Sequence, residues 1–263
     1  MLALLLASLA SASLPPFPFP TWGPVYPFSE TLRRPIGGNR AILSVQPDLF
    51  WPCDDAGATA DEVINGASFD GTYGSGATVG KTTIFPNGLE RFSFRTDGTA
   101  NGNFVVAHNA TLDAPTTATY GFWLRVIDGV NTQGVWAKDA CGVNRFGFAV
   151  MRAAGLNSLL IYLRPGISYV SAGVSGTEHF WSFDHDADDI LIYANGVLNA
   201  SLAFADASGT ANAAALTVGS FTSGACSQNG LNNNGVQAVF RVARRLSAGE
   251  HAMLYRQALG GVP

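Results

Sequence analysis

The chain has 263 residues, 15 basic and 19 acidic side chains, a net charge of −4 and a hydrophobic content of 47%. That hydrophobic share excludes a disordered chain. The sparse basic residues form no run, which excludes nucleic acid as the main partner, because phosphate binding needs concentrated positive charge.

Met1 to Ala12 reads MLALLLASLASA, an apolar run followed by small residues. It is like a signal peptide with a cleavage site at Ser11-Ala12-Ser13, but no Lys or Arg precedes the apolar stretch. It is too short to span a bilayer as a helix, so no transmembrane span is expected there. Leu14 to Pro27 reads LPPFPFPTWGPVYP. Its prolines remove backbone donors and favour extended geometry. Phe17, Phe19, Trp22, Tyr26 and Phe28 carry large apolar area with no local element to bury it. Residues 1–40 are therefore expected to be an extended assembly arm that packs on other subunits, and residues 41–263 to be a separate β domain.

From Ala41 onward the punctuation is that of an all-β chain. Turn dipeptides recur at Asn65-Gly66, Asn87-Gly88, Asn101-Gly102 and Asn195-Gly196, and Asn-Gly tolerates the positive φ angles of tight hairpins. Between them lie short β-branched and aromatic runs, in order Arg91–Arg95, Tyr120–Ile127, Phe146–Met151, Leu159–Leu163, Ile190–Tyr193, Leu216–Val218 and Val236–Val242. Many short strands without helical periods predict an antiparallel two-sheet sandwich. One helix is expected at the end, where Ser247 and Glu250 stand at capping-box spacing. Met253, Leu254, Ala258 and Leu259 are its expected apolar stripe, and Gly260-Gly261 its stop. Cys53, Cys141 and Cys226 are far apart with no C-x-x-C pair, so buried free thiols are expected rather than a zinc site.

The order of these segments resembles the laminin-G-like, concanavalin A-like lectin-glucanase jelly-roll family. The resemblance rests on Asp48–Asp55 as an opening strand, Phe69–Tyr73 as a glycine-tyrosine turn, and Phe92–Phe94 through Phe104–Val106 as a hairpin. It continues through Thr119–Leu124, Val135–Lys138, His179–Trp181, the Leu191–Val197 hairpin, and Val239–Glu250 as a final strand and capped helix. It implies a jelly-roll sandwich in which chemistry lives in loops. Family members often carry an acidic pair before the last strand that helps hold calcium. Gly235-Val236-Gln237-Ala238 stands there instead, so no cofactor is expected and calcium is unsupported.

Four candidate sites follow. Gly74–Thr82 contains Gly-Lys-Thr but has the wrong spacing for a phosphate-binding loop, and is expected to be a flexible loop. Asp184, His185, Asp186, Asp188 and Asp189 form the densest acidic cluster. Glycosidases of this fold place paired carboxylates on one strand face, but the matching Glu-x-Asp-x-Glu pattern is absent and a solvated turn is expected. No His-Glu-x-x-His or Gly-x-Ser-x-Gly motif occurs, and no catalytic residue is assigned. Two polar loops remain as ligand contacts, Lys138, Asp139, Asn144 and Arg145 in one and Gln228, Asn229, Asn232 and Asn233 in the other, since side-chain amides suit sugar hydroxyls. Trp123, Trp136 and Trp181 are expected in the core.

These readings predict a non-enzymatic recognition protein. The expected setting is the surface of a phage virion, as decoration, fibre or tail appendage, with surface glycans as the ligand. A secreted or periplasmic carbohydrate-binding module and a glycoside hydrolase are the alternatives.

Overall fold

A computed structural model describes residues 38–81, 93–99, 101–126, 133–139, 145–153, 156–164, 167–203, 211–220 and 232–260. The arm residues Phe17, Phe19, Trp22, Tyr26 and Phe28 lie outside them. In chain order the elements are α1 (Gly38–Ser44), β1 (Leu49–Trp51), β2 (Thr59–Ala60), β3 (Gly71–Tyr73), β4 (Ala77–Lys81), β5 (Ser93–Asp97), β6 (Phe104–Val106), β7 (Ala118–Arg125), β8 (Gln133–Asp139) and β9 (Arg145–Ala153). There follow β10 (Leu156–Arg164), β11 (Ile167–Val170), β12 (Val174–Ser175), β13 (Glu178–His185), β14 (Asp189–Ala194), β15 (Val197–Ala203), β16 (Leu216–Val218), β17 (Asn232–Val242) and α2 (Ala248–Ala258).

The strands form two sheets. The first runs β15-β14-β13-β7-β17-β5-β4 with β1 added to β17; the second runs β11-β10-β9-β8-β16-β6-β3-β2 with β12 added to β10. Neighbours pair antiparallel, as in β13 on β7 and β9 on β10, so the predicted all-β, antiparallel sandwich with a C-terminal helix is what the chain adopts.

Between the sheets lies a core that includes Trp51, Phe94, Phe104, Tyr120, Phe122, Trp136, Trp181 and Phe183. Aromatic rings meet edge to face within it, Trp136 against both Trp51 and Tyr120 at 6.0 and 5.4 Å, the arrangement that ring quadrupoles favour. A second apolar layer lies on the outer face of the first sheet. There α1 and α2 cover Phe50, Trp123, Phe180, Phe240 and Val242. Strand β7 is consequently buried on both faces, with Tyr120, Phe122 and Leu124 inward and Trp123 outward under Tyr255 of α2, whose ring stacks on it at 5.8 Å. Trp123, Trp136 and Trp181 are all core, as expected.

Local signals account for most boundaries. Asn195 and Gly196 adopt φ of 53° and 75°, which closes the β14–β15 hairpin. A Cβ on Gly196 would come within 2.9 Å of the α2 backbone, so only glycine fits there. The Ser247–Glu250 capping box forms as predicted. A bulge in β17 puts Ala238 at φ 54° and shifts the register between Gln237 and Phe240, so that Val236 and Val239 both point inward while Phe240 points out to the helices.

Four expectations are corrected. Gly38, Asn39 and Arg40, read as arm, form the first turn of α1, a helix not expected at all; Asn39, Ala41 and Ile42 are buried. Ala77–Lys81 is the edge strand β4 rather than a loop. Leu259 is 44% exposed, and His251 takes its place in the buried stripe of α2 with Leu254 and Ala258. Asp184 and His185 are not in a solvated turn: they end β13 and are buried, and only Asp186 to Asp188 form the turn.

Candidate functional site

Two described turns meet where β3 turns into β4 and β5 into β6. The β3–β4 turn is laced to the β5–β6 hairpin by backbone bonds: Gly74 N–H donates to Asn103 O at 2.8 Å, Gly76 N–H to Asn101 O at 3.1 Å, and Asp97 N–H to Gly76 O at 3.1 Å. The approach is so close that a Cβ on Gly74 would lie 2.3 Å from Asn101 O, and one on Gly76 would lie 2.4 Å from Asp97 Oδ1. Beneath the hairpin the buried Asn103 amide donates to Ser220 Oγ at 2.7 Å, tying it to the segment that follows β16. The result is a rigid polar shelf.

Its exposed side chains are Ser75, Asp97, Thr99 and Asn101. Asp97 Oδ1 accepts from the Thr99 backbone N–H at 2.9 Å and from Thr99 Oγ1 at 2.6 Å. These bonds hold the Asp97 carboxyl below its ordinary range, so the shelf presents a fixed negative acceptor beside hydroxyl and amide groups. Such a set can accept from and donate to vicinal hydroxyls, and contains no general acid.

Nearby, the residues after β1 place Asp54 and Asp55. Tyr73 donates its hydroxyl to Asp55 Oδ2 at 2.8 Å. Burial pushes the Asp55 carboxyl up to about 6, with the charges of Asp61 and Asp54 adding to the effect and the Tyr73 bond opposing it. Because the folded state then holds a proton that the unfolded chain has lost, stability should fall as pH rises from about 4 to about 6. Two units correspond to about 3 kcal/mol, reduced to about 1–2 kcal/mol for a partly solvated group. Asp55→Asn should remove that decline in a urea-unfolding pH series; an unchanged slope would refute the assignment.

The described ends of the two loops singled out from sequence lie apart. Leu216 of β16 pairs with Val106 and Lys138, and Val218 with Phe104 and Trp136. Asn232 pairs with Asp97 at the start of the β5–β6 hairpin, on the Phe104 side. Asn232 and Asn233 therefore begin β17 beside the shelf, whereas Lys138 and Asp139 close β8 at the opposite end, with Asp139 paired to Arg145. Asn144, Gln228 and Asn229 lie outside the described residues. Lys138 is buried, its side chain 1% exposed and its ammonium 2.5 Å from Asp113 Oδ1.

A second polar cluster is internal. Ser182 Oγ lies 2.8 Å from His251 Nδ1, and His251 Nε2 lies 3.1 Å from Asp184 Oδ2. This is the one Ser-His-Asp constellation among the described residues, yet all three are buried and the Tyr193 ring stacks on His251 at 3.8 Å. No substrate reaches Ser182, and the cluster ties α2 to β13. Asp186, in the expected acidic cluster, is ion-paired with Arg245 and accepts N–H bonds from Asp188 and Asp189. Cys53 is a buried free thiol, pushed up by desolvation; Cys141 and Cys226 lie outside the described residues. Asp97, Thr99 and Asn101 were missed from sequence, although Asn101-Gly102 marks the turn that carries them.

No known family model matches the chain, and none of the curated proteins does. Solved structures do share its fold. The binding domain of Paraclostridial Mosquitocidal Protein 1 is 14% identical with a TM-score of 0.58, matching 79% of this chain and 52% of its own. A Trypanosoma rangeli sialidase is 12% identical with a TM-score of 0.60, over 82% of this chain and 33% of its own. A botulinum neurotoxin type C structure, whose cell entry depends on two ganglioside molecules, is 13% identical with a TM-score of 0.53, over 83% and 53%. The likeness is one of fold. The chain spans about half the length of the toxin structures and a third of the sialidase.

Proposed function

We propose that this chain is a non-enzymatic, lectin-like recognition domain that binds glycan through the shelf of Asp97, Thr99 and Asn101. The observation that carries this reading is the fold shared with the binding domain of a mosquitocidal protein and with a botulinum neurotoxin whose cell entry depends on two ganglioside molecules. The shelf supports it chemically, with a charged acceptor, a hydroxyl and an amide held on a backbone that packing keeps rigid. Within the fold class the chain reads as laminin-G-like.

A glycan panel with the whole chain tests the proposal. Binding to at least one hydroxyl-rich glycan is expected, and Asp97→Ala or Thr99→Ala should weaken it roughly tenfold or more, about 1.4 kcal/mol each. Absence of binding across the panel would sink the reading, and release of free sugar would replace it with an enzyme.

The setting we propose is the surface of a virion, with the aromatic arm packing against other subunits. Since α1 starts at Gly38 and packs with α2, the arm to delete is residues 1–37. That truncation should fold yet fail to enter its assembly; a truncation that still incorporates would refute the arm's role.

A further inference from the structure

Lys138 is among the largest fully buried side chains of the protein, and a cation is buried at a cost unless its surroundings use it. Its Nζ lies 2.5 Å from Asp113 Oδ1, 2.5 Å from the backbone oxygen of Asn212 and 3.3 Å from the Asn212 side-chain oxygen, with His108 Nδ1 also at 3.3 Å. A buried lysine therefore meets a half-buried carboxyl group and a half-buried primary amide, brought there by three separate parts of the chain.

The amide is held in a reactive attitude. Its oxygen accepts from Ala214 N–H at 2.9 Å, which polarises the carbonyl and can stabilise an oxyanion. Its nitrogen donates to Lys138 O at 3.0 Å, fixing the plane of the group against β8. Asp113 Oδ1 lies 2.5 Å from Lys138 Nζ and also accepts the backbone N–H of Asn212 at 3.4 Å. It is placed to take a proton from the ammonium.

We infer that Lys138 and Asn212 are the partners of an intramolecular isopeptide bond, with Asp113 as the proton carrier. Asp113 takes a proton from the Lys138 ammonium and frees the Nζ lone pair, which adds to Cγ of Asn212. The new C–Nζ bond forms and the C–Nδ2 bond breaks. Both protons lost from Nζ pass by way of Asp113 to Nδ2, which departs as ammonium, and Asp113 ends as the carboxylate it began as. No oxidant, reductant or cofactor takes part. Proximity makes the bond feasible, since holding the buried nucleophile against the amide replaces a bimolecular step by an intramolecular one. The product staples β8 to the segment entering β16, across 74 positions of sequence.

Intact-mass measurement of the denatured whole chain reads the reaction directly. The expected mass is below that of the unmodified sequence by one ammonia, and a protease digest should contain one branched peptide joining the fragments of Lys138 and Asn212. Asp113→Asn and Lys138→Arg should each return the parent mass. Since Asn-Gly sites lose ammonia when they cyclise, the branched peptide decides, and a loss that persists in Lys138→Arg counts against the bond. An unmodified wild-type mass, or loss of water with a Lys138–Asp113 branch, would overturn the assignment. Should a variant fail to fold, the wild-type mass and digest suffice.

Discussion

Replacing Arg241 with leucine is expected to lower the unfolding free energy by about 3–5 kcal/mol, the scale for removing one partner of a buried, hydrogen-bonded ion pair. Arg241 is 3% exposed, next to the last residue of β17 in the first sheet. Its Nε and Nη2 donate to Asp48 Oδ2 at 2.9 and 2.6 Å, and its Nη1 and Nη2 donate to the carbonyls of Asp113 and Thr111 at 3.0 and 2.7 Å. Backbone reciprocates, since Asp48 N–H donates to Arg241 O at 2.9 Å. One guanidinium thus joins the entry to β1, the turn before β7 and the last strand. Leucine would leave a carboxylate and two carbonyls without donors, and each buried unpaired group costs about 1–3 kcal/mol. Lysine should recover only part of the loss, because a single ammonium cannot serve three acceptors in a planar fork. Denaturant unfolding of both variants checks the ranking; a loss under about 1 kcal/mol for leucine would show that Asp48 and the carbonyls find water instead.

Much of this architecture was legible because it depends on local signals. Leu216–Val218 was read to the residue, Asn195-Gly196 demanded a hairpin by its left-handed backbone, and Ser247 with Glu250 declared the start of α2. What stayed hidden depends on the third layer. A strand buried on one face only alternates polar and apolar residues, so Asp184 and His185 looked like part of a surface turn. With α2 lying on the outer face of β13, Asp184 is interior beside His251, while His185 stacks on Tyr120 of the core, and nothing in β13 announces a helix arriving from more than sixty residues later. Helix α1 has only seven residues, too few for a periodic pattern. At the shelf, Asn101-Gly102 was visible as a turn, but the role proposed for Asp97 depends on its bonds to Thr99 and on packing against Gly76. That is information about which turns meet, which composition does not carry. The same holds for Lys138, whose partners Asp113 and Asn212 come from distant segments.

The buried Ser182–His251–Asp184 cluster offers the second large effect. His251→Leu removes the donor that lies 3.1–3.2 Å from both carboxylate oxygens of Asp184 and leaves that carboxylate inside the protein. Thr119 Oγ1, 2.5 Å from Asp184 Oδ1, also accepts the Leu246 N–H at 2.9 Å, so the disturbance reaches the chain entering α2. The expected loss is about 3–5 kcal/mol. A carboxylate stripped of its His251 partner, with only the Thr119 hydroxyl remaining, is the cause, so the loss should shrink when the carboxylate is removed too. In an Asp184→Leu background, His251→Leu should cost roughly 1 kcal/mol, a coupling of at least about 2 kcal/mol between the two sites. The Tyr193 ring gives a local report, since its stacking on His251 fixes its environment, and its near-ultraviolet dichroism should weaken in His251→Leu before the sandwich unfolds. Additive losses in the double-mutant cycle would mean instead that His251 acts through its apolar contact area, with the ties to Ser182 and Asp184 contributing little to holding the helix.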